Sequence, residues 1–221
     1  MNHVRYDCTD PRELSAEAEN AVRRAITAGE CIVFATDTVY GIGADAFSPT
    51  AVQALLDAKG RGRDMPPPVL IAAPEVLPAL VTDLPAGAQQ LVEAHWPGPL
   101  TVIGRQQPSL RLDLGEAAGT IAVRVPDDDL ARAVLRITGP LAVSSANRSG
   151  QDPATTCAGA EEQLGDRVSV YLDGGESAGG VPSTIVDFTR YPDGEVLRVG
   201  ALSIDDLRET LPGLRDPGTD G

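Results

Sequence analysis

Lys59 is the only lysine among the 18 lysine and arginine residues of the chain. It lies in a short glycine-containing segment, residues 58–64, together with Arg61 and Arg63. A lysine ammonium is a compact charge with three rotatable donors, whereas an arginine guanidinium is a planar fork, so the two are not interchangeable at a tight phosphate site. The segment therefore indicates a site for phosphate groups, with a chance lysine on a surface loop as the plain alternative.

Arg124 is a second residue that could do chemistry, because it alternates with apolar neighbours in a stretch typical of a β-strand. Successive side chains of a strand point to opposite faces, so Thr120, Ala122 and Arg124 are predicted to share one face. An unpaired buried cation is costly, and this arginine therefore needs an anionic partner. The sequence leaves two candidates open, a structural aspartate or glutamate and the carboxylate of a ligand.

Polar loops follow several apolar segments, and ligand sites gather at such positions in open α/β sheets. Residues 36–45 hold Asp37 and Asp45 among several hydroxyl groups, and for these carboxylates we favour helix capping over the lining of a pocket. Residues 144–150 are dense in hydroxyl and amide groups, for which a plain Asx or Ser turn is the alternative. Neither the dinucleotide-binding glycine pattern nor the Walker pattern occurs in the chain.

Composition narrows the classes of function. The chain has 221 residues and a formal net charge of −14, which argues against general nucleic-acid binding because phosphate neutralisation needs a basic face. It leaves room for a local cationic pocket. With only His3 and His95, a histidine metal centre or a Ser-His-Asp triad is hard to build. Cys8, Cys31 and Cys157 have no metal-type spacing, and Cys31 is predicted to be a buried thiol of a reduced, cytoplasmic protein.

Hydrophobic periodicity and turn residues predict alternating helices and strands. Helices are expected near residues 18–26, 49–58, 85–92, 130–135 and 203–211, and strands near residues 31–35, 69–72, 100–104, 120–125, 141–144, 168–172, 184–188 and 195–199. The alternation predicts one α/β domain over residues 16–211, with a twisted, mixed parallel and antiparallel sheet flanked by helices. Residues 212–221 lack periodicity and are predicted to be a disordered tail. No run reaches membrane-spanning length and no targeting segment is found, so no membrane contact is expected.

Seven short motifs, taken in order over residues 16–211, closely resemble the YrdC-type threonylcarbamoyl-AMP synthase family. They are Thr36-Asp37-Thr38-Val39-Tyr40-Gly41, Lys59-Gly60-Arg61, Trp96-Pro97-Gly98-Pro99-Leu100-Thr101, Ala122-Val123-Arg124-Val125-Pro126, Ser145-Ala146-Asn147, Pro182-Ser183-Thr184-Ile185 and Leu197-Arg198-Val199-Gly200. Chance assembly of so many motifs in this order is implausible. The length resembles the short form of the family, which lacks an extra C-terminal domain.

The resemblance implies an enzyme that makes L-threonylcarbamoyl-adenylate from L-threonine, bicarbonate and ATP, with release of pyrophosphate. It also implies partner proteins that transfer the threonylcarbamoyl group to the adenosine beside the anticodon of certain tRNAs. Magnesium is expected to accompany ATP. Direct binding of tRNA by this acidic chain is expected to be weak or absent.

The resemblance assigns two sets of positions. The ATP-binding set is Lys59, Arg61, Thr120, Ser145, Asn147 and Arg198, in which Lys59 and Arg61 form a catalytic K-x-R element. We add Arg63 to the ATP-binding set as the candidate for a cation that relatives carry slightly later in the sequence. The threonine-binding set is Thr38, Arg124, Ser183 and the backbone at Val143. No protein residue is assigned to magnesium. The segment 59–68 is expected to be mobile until ATP and magnesium order it.

Departures from the family pattern affect the details of substrate contact. Ala35 replaces a usual proline, Met65 precedes Pro66 where relatives commonly carry lysine or asparagine, and Leu70 replaces a histidine of some relatives. Two other functions stay open: synthesis of another carbamoyl-adenylate, as in the related domain of hydrogenase-maturation proteins, and an RNA-binding module. The negative net charge speaks against the RNA-binding module.

Overall fold

A computed structural model of the chain describes residues 3–9 and 13–217. The strands of this part are β1 (Val4–Asp7), β2 (Ile32–Phe34), β3 (Gly41–Asp45), β4 (Val69–Leu70), β5 (Val81–Thr82), β6 (Leu100–Gln106), β7 (Thr120–Arg124), β8 (Leu141–Ser145), β9 (Val170–Asp173), β10 (Thr184–Asp187) and β11 (Glu195–Arg198). The helices are α1 (Ala16–Thr27), α2 (Pro49–Lys59), α3 (Leu77–Leu80), α4 (Ala86–His95), α5 (Asp129–Thr138), α6 (Cys157–Leu164) and α7 (Ile204–Thr210).

The strands form one mixed sheet. Its order is β1-β9-β2-β3-β8-β4-β7-β6-β10-β11, and β5 pairs with β6 off this path. Strand β4 lies parallel to β7 and antiparallel to β8, so both kinds of strand pairing meet at the centre of the sheet. The prediction of an α/β fold with a mixed parallel and antiparallel sheet is confirmed.

Helices pack on both faces of the sheet. Strand β2 shows this best, because Ile32 and Phe34 belong to the core that includes α1 and α5, whereas Val33 belongs to the core that includes α2, α4 and α6. A strand that is buried on both faces is a continuous apolar run in the sequence, which is why residues 31–35 predict a buried strand.

Helix α2 begins and ends where the sequence signals place it. The Ala51 amide donates to the Ser48 side chain at 3.3 Å, and Pro49 is the first helical residue. Gly60 then adopts the left-handed conformation, with a φ of 64°, which a glycine reaches at no steric cost. This turn ends the helix at Lys59, and the side chains of Lys59 and Arg61 both reach the end of β8.

Strand β3 is the main element that the sequence pattern does not predict. Residues 36–45 are predicted as a polar loop, yet Gly41–Asp45 forms a strand between β2 and β8. Its glycines leave room for neighbours: a Cβ on Gly41 would lie 2.7 Å from Val143 Cγ1, and one on Gly43 would lie 3.0 Å from Phe34 Cε1. A strand that needs glycine for close approach lacks the side-chain alternation by which strands are recognised.

Both ends of the described chain pack onto the domain that the sequence predicts over residues 16–211. At one end β1 pairs with β9. At the other, Leu214 is buried at 2% exposure, and the Arg215 amide donates to the Gly194 carbonyl at 3.1 Å. The prediction of disorder is therefore wrong for residues 212–217, and residues 218–221 lie outside the described part.

The three cysteines are buried and free, which confirms the burial predicted for Cys31. Within residues 3–9 and 13–217, the helices are too short or too polar for any of them to cross a membrane.

Candidate active site

An open cavity of about 450 Å³ lies against one face of the sheet. Leu70 and Val143 line it and also belong to the core under α1 and α5, so the cavity occupies the part of that face which these helices leave open. Thr120, Ala122 and Arg124 of β7 all line it, as the predicted alternation requires. The site thus extends across the sheet face, whereas the sequence placed it only at the strand ends.

Arg124 is fixed by three hydrogen bonds. Its Nε donates to the Gly98 carbonyl at 2.9 Å, its Nη1 to Thr38 Oγ1 at 3.0 Å, and its Nη2 to Asp37 Oδ1 at 2.5 Å. Burial lowers the pKa of Arg124, and the charge of Asp37 opposes this shift. A guanidinium has five N–H donors, so donors remain for a ligand carboxylate.

The helix-capping role favoured for the two aspartates is wrong. Asp37 is the anionic partner that the sequence requires for Arg124, with the two side chains 7% and 13% exposed. Asp45 accepts a hydrogen bond from the Phe47 amide at 2.9 Å and so stabilises the turn before α2, whose cap is Ser48.

Ser183 and Arg198 are held together at the other side of the cavity. The Ser183 hydroxyl lies 2.8 Å from Thr101 Oγ1, and Arg198 Nη2 donates to the Ser183 carbonyl at 2.8 Å. The chain passes very close here, because a Cβ on Gly200 would lie 2.2 Å from the Pro182 carbonyl oxygen. Arg198 at the end of β11 and Ser183, directly before β10, are therefore held next to each other.

Arg61 is incompletely satisfied. Its Nη1 donates to Ser144 Oγ at 3.1 Å, and its Nε is buried without a partner among the described residues. Burial lowers the pKa of Arg61, with Asp64 opposing the shift. A guanidinium that lines an open cavity and pairs with no described carboxylate favours an anionic ligand.

Lys59 lies behind the cavity wall and is 3% exposed. Its ammonium donates to the Asn147 carbonyl at 2.7 Å, to Asn147 Oδ1 at 3.3 Å, and to the Ser145 carbonyl. Burial, and to a smaller extent the charge of Arg61, lower the pKa of Lys59 from 10.5 to about 8. The surface-loop alternative for this lysine is excluded by its burial.

The cavity has an excess of positive charge. Its charged lining residues are Arg61, Arg124 and Arg198, of which only Arg124 forms an ion pair with a described carboxylate. Burial lowers the pKa of Arg198, and the charges of Arg124 and Arg61 lower it further. Each of these positive charges makes the charged form of its neighbours less stable. A bound polyanion would stabilise the charged forms of all three.

The structure brings most of the predicted site residues to one cavity: Thr38, Arg61, Thr120, Arg124, Val143, Ser145, Ser183 and Arg198. It does not bring Lys59, Arg63 or Asn147 to the cavity wall. Arg63 pairs with Asp113 and donates to Gln53 Oε1 at 3.1 Å. The Asn147 Nδ2 donates to the Arg148 and Gln151 carbonyls at 2.9 and 2.7 Å.

Three residues that hold site side chains are absent from the predicted sets: Asp37, Ser144 and Thr101. Each lies inside or directly beside one of the seven motifs of the sequence. Thr101 also carries a recognisable signal, a hydroxyl between two apolar residues at the start of a strand, and Ser144 carries a weaker one, a hydroxyl that follows an apolar run at the end of a strand. Asp37 carries no such signal, because sequence spacing does not show that residues 37 and 124 meet.

A mixed α/β sheet with an arginine-lined cavity on its open face defines a class of protein whose cavity suits small anionic molecules. The chain belongs to the Sua5/YciO/YrdC family, whose profile, described as "Telomere recombination", matches residues 24–200. The predicted family is therefore confirmed.

Two relatives with different degrees of sequence identity support membership of this family. A protein of Mycobacterium tuberculosis (strain ATCC 25618 / H37Rv), provisionally named threonylcarbamoyl-AMP synthase, is 50% identical over 206 residues, which cover 93% of this chain and 94% of that protein. The threonylcarbamoyl-AMP synthase of Pyrococcus abyssi is 34% identical over 191 residues, covering 86% of this chain and 56% of that protein.

A solved structure extends the comparison to the fold. The crystal structure of Pyrococcus abyssi Sua5 complexed with L-threonine matches with a TM-score of 0.87 at 30% identity. The match covers 97% of this chain and 62% of that chain. The present chain thus spans less than two thirds of the archaeal protein, although it spans nearly all of the mycobacterial one.

Proposed function

We propose that the protein is an L-threonylcarbamoyladenylate synthase, which makes threonylcarbamoyl-adenylate from L-threonine, bicarbonate and ATP and releases pyrophosphate. One observation carries the proposal. A single cavity holds one arginine whose charge is neutralised by a carboxylate and two arginines whose charges are not. Arg124 is neutralised by Asp37, whereas Arg61 and Arg198 form no ion pair with a described carboxylate. The names of the relatives, and the L-threonine in the Pyrococcus abyssi structure, support the same reaction.

The group around Arg124 suits the amino acid. Its free donors can bind a carboxylate in the bidentate manner typical of arginine. Because Asp37 balances the charge, the surroundings suit a molecule that carries both an amine and a carboxylate better than a polyphosphate. Thr38, Ser183 and the backbone at Val143 line the same region and supply polar contacts.

The group around Arg61 and Arg198 suits the triphosphate. Neither arginine has a carboxylate partner among the described residues, and Arg61 Nε has no acceptor. Thr120 and Ser145 line the cavity with hydroxyl groups. ATP brings the negative charge that this side of the cavity lacks.

The nucleophile belongs to the substrate in this proposal. Among the described residues, those that line the cavity include no histidine, cysteine, aspartate or glutamate. Bicarbonate gives carbon dioxide and hydroxide, and the threonine amine attacks the carbon of carbon dioxide. The hydroxide takes the proton that the amine loses, so this step yields a carbamate and water. A carbamate oxygen then attacks the α-phosphorus of ATP, and the bond from that phosphorus to pyrophosphate breaks. The protein contributes orientation and electrostatic stabilisation.

Magnesium fits the proposal as a companion of ATP. Residues 3–9 and 13–217 contain no group of three or more histidine, cysteine, aspartate or glutamate residues that could hold a metal ion. Phosphate oxygens and water are therefore its expected ligands, which is a common arrangement for this ion. When bound, magnesium supplies charge neutralisation on the phosphates.

The fate of the product follows from its chemistry. An adenylate of a carbamate is an activated group donor, and threonylcarbamoyl-transfer proteins that modify tRNA are the proposed consumers. The net charge of −14 supports weak or absent direct binding of tRNA by this chain.

Pyrophosphate release tests the proposal when threonine, bicarbonate and magnesium are each omitted in turn. We expect release only with all three and ATP. Release that does not need threonine would favour another carbamoyl-adenylate synthase. Salt-sensitive RNA binding without ATP, together with no pyrophosphate release, would favour the RNA-binding alternative.

A further inference from the structure

Lys59 is a buried cation whose donors are all used within the protein. Its ammonium donates to the Ser145 carbonyl, to the Asn147 carbonyl and to Asn147 Oδ1. An ammonium has three donors, so none is left for a ligand in this arrangement. Its neighbour in the K-x-R element is different, because Arg61 lines the cavity and keeps a buried Nε without an acceptor.

The turn that accepts these hydrogen bonds carries Ser145 to the cavity. The Ala146 amide donates to the Tyr40 carbonyl at 2.7 Å, and the Ser149 amide donates to the Lys59 carbonyl at 2.8 Å. The side chain of Lys59 thus connects the turn to the end of α2, and the backbone of Lys59 connects the end of α2 to Ser149, two residues beyond the turn. Ser145 itself lines the cavity with a hydroxyl that no described residue hydrogen-bonds.

We infer that Lys59 is a positioning residue: it holds the turn 145–147 so that Ser145 meets the phosphates, while Arg61 is the cation that contacts them. The inference rests on the proposed function for the identity of the ligand. It differs from the role that the motif alone implies, in which both cations of the K-x-R element contact the nucleotide.

A double-mutant cycle tests whether Lys59 acts through Ser145. Lys59→Met keeps the length of the side chain and removes its three donors. The quantity to measure is the Kd of a non-hydrolysable ATP analogue for the wild type, Lys59→Met, Ser145→Ala and the double variant. We expect Ser145→Ala to weaken binding by about tenfold in the wild type, but by less than about threefold in Lys59→Met.

Two outcomes of this cycle overturn the inference. Losses that multiply in the double variant mean that Lys59 acts separately from Ser145, either on the phosphates directly or by general destabilisation. An unchanged Kd for Ser145→Ala means that this hydroxyl does not meet the phosphates. Arg148→Ala removes an exposed cation from the same loop and is the matched control, expected to leave the Kd unchanged.

Hydrogen exchange without nucleotide tests the same contact independently of any substrate. In Lys59→Met we expect the amides of Ala146 and Ser149 to exchange about tenfold faster, with no change in β9. Unchanged exchange at both amides would overturn the inference. If the wild type failed to bind the analogue, the proposed function would fail, whereas the exchange result would still decide whether Lys59 holds the turn.

Discussion

The cations of the cavity differ in how their charge is balanced. Arg124 lies 2.5 Å from Asp37, whereas Arg61, Arg198 and Lys59 form no ion pair with a described carboxylate. Lowering the pKa of Lys59 from 10.5 to about 8 corresponds to a cost on the order of 3 kcal/mol for the charged form. A bound polyanion offsets part of this cost, which favours ATP beyond its direct contacts.

Replacing Arg124 by lysine is expected to impair threonine use selectively. A lysine cannot keep three hydrogen bonds to Gly98, Thr38 and Asp37 and also offer paired donors to a carboxylate. We expect Arg124→Lys to raise the KM for threonine by about 100-fold and the KM for ATP by less than about threefold. Steady-state pyrophosphate release measures both constants.

The matched control for this variant is Arg105→Lys on the neighbouring strand β6. Arg105 Nη2 donates to the Thr189 carbonyl at 3.3 Å, and Arg105 does not line the cavity. Equal losses for threonine and ATP in Arg124→Lys would contradict the assignment of Arg124 to the amino acid.

Serine is expected to be a poorer substrate than threonine. The two amino acids differ by one methyl group, which is worth about 1–3 kcal/mol in an apolar pocket, so kcat/KM should differ by about 10- to 200-fold. Competition between the two amino acids in one reaction, followed by mass analysis of the adenylates, gives this ratio directly. Equal use of both would show that the cavity does not recognise the methyl group.

Nucleotide binding is expected to weaken as the pH rises through about 8, the value to which burial lowers the pKa of Lys59. Above that pH the side chain loses a proton, and with it one donor to the turn 145–147 and its positive charge. Because the lowered pKa belongs to a cation, the charged form and its contribution are present below about 8 and lost above it. Analogue binding measured between about pH 7 and 9.5 in wild type and Lys59→Met should show this decline only in the wild type.

Among the secondary-structure elements, the segment that follows α2, residues 60–64, is fixed by contacts with residues 113–116. The Arg63 carbonyl accepts from the Glu116 amide at 2.8 Å, and its side chain pairs with Asp113. Gly115 comes so close that a Cβ there would lie 2.5 Å from the Arg63 carbonyl oxygen. The sequence predicts instead a segment that stays mobile until ATP orders it.

Exchange of the amides over residues 59–64 separates these two descriptions. From the tethers we expect protection before nucleotide is added and less than about a twofold change on binding of the analogue. Arg63→Ala should leave the KM for ATP within about twofold, because its partner is an exposed carboxylate outside the cavity. Strong new protection of these amides on binding of the analogue would show that the segment is mobile without nucleotide. A large rise in the KM for ATP in Arg63→Ala would show that Arg63 contacts the nucleotide.

The sequence predicts an element well where its local signals agree. Helix α2 has a capping serine, a proline at its first position and a glycine beyond its end, and β7 shows clear alternation with Arg124 on the polar face. Strand β3 escapes prediction because its glycines serve close approach to β2 and β8. The Asp37–Arg124 pair also escapes, because two residues 87 positions apart meet only through the order of the sheet.

At the scale of the whole molecule, the net charge of the chain and the charge of its cavity have opposite signs. The net charge of −14 coexists with a cavity whose charged lining residues, within the described part of the chain, are all arginines. Repulsion from the surface disfavours large polyanions such as RNA, whereas a small polyphosphate can reach the buried cations. The acidic surface and the cationic cavity together favour a small-molecule substrate.

The C-terminal segment contributes to the stability of the whole domain. Leu214 packs in the larger core at 2% exposure, and Val196 of β11 donates to the Arg215 carbonyl. We expect Leu214→Ala to lower the free energy of unfolding by about 2–4 kcal/mol. Denaturant titration measures this, with Val4→Ala, 47% exposed, as a control that should change stability by less than about 0.5 kcal/mol. A neutral Leu214→Ala would mean that this segment is not packed in solution.

In the proposed reaction, one cavity joins threonine, carbon dioxide and the adenylyl group of ATP. The most direct measurement is the mass of the nucleotide product formed by the purified protein from ATP, threonine, magnesium and isotope-labelled bicarbonate. We expect threonylcarbamoyl-adenylate that carries the bicarbonate label, formed by the wild type and strongly reduced in Arg61→Ala. An adenylate without the label or without threonine, or no adenylate at all, would contradict the proposed reaction.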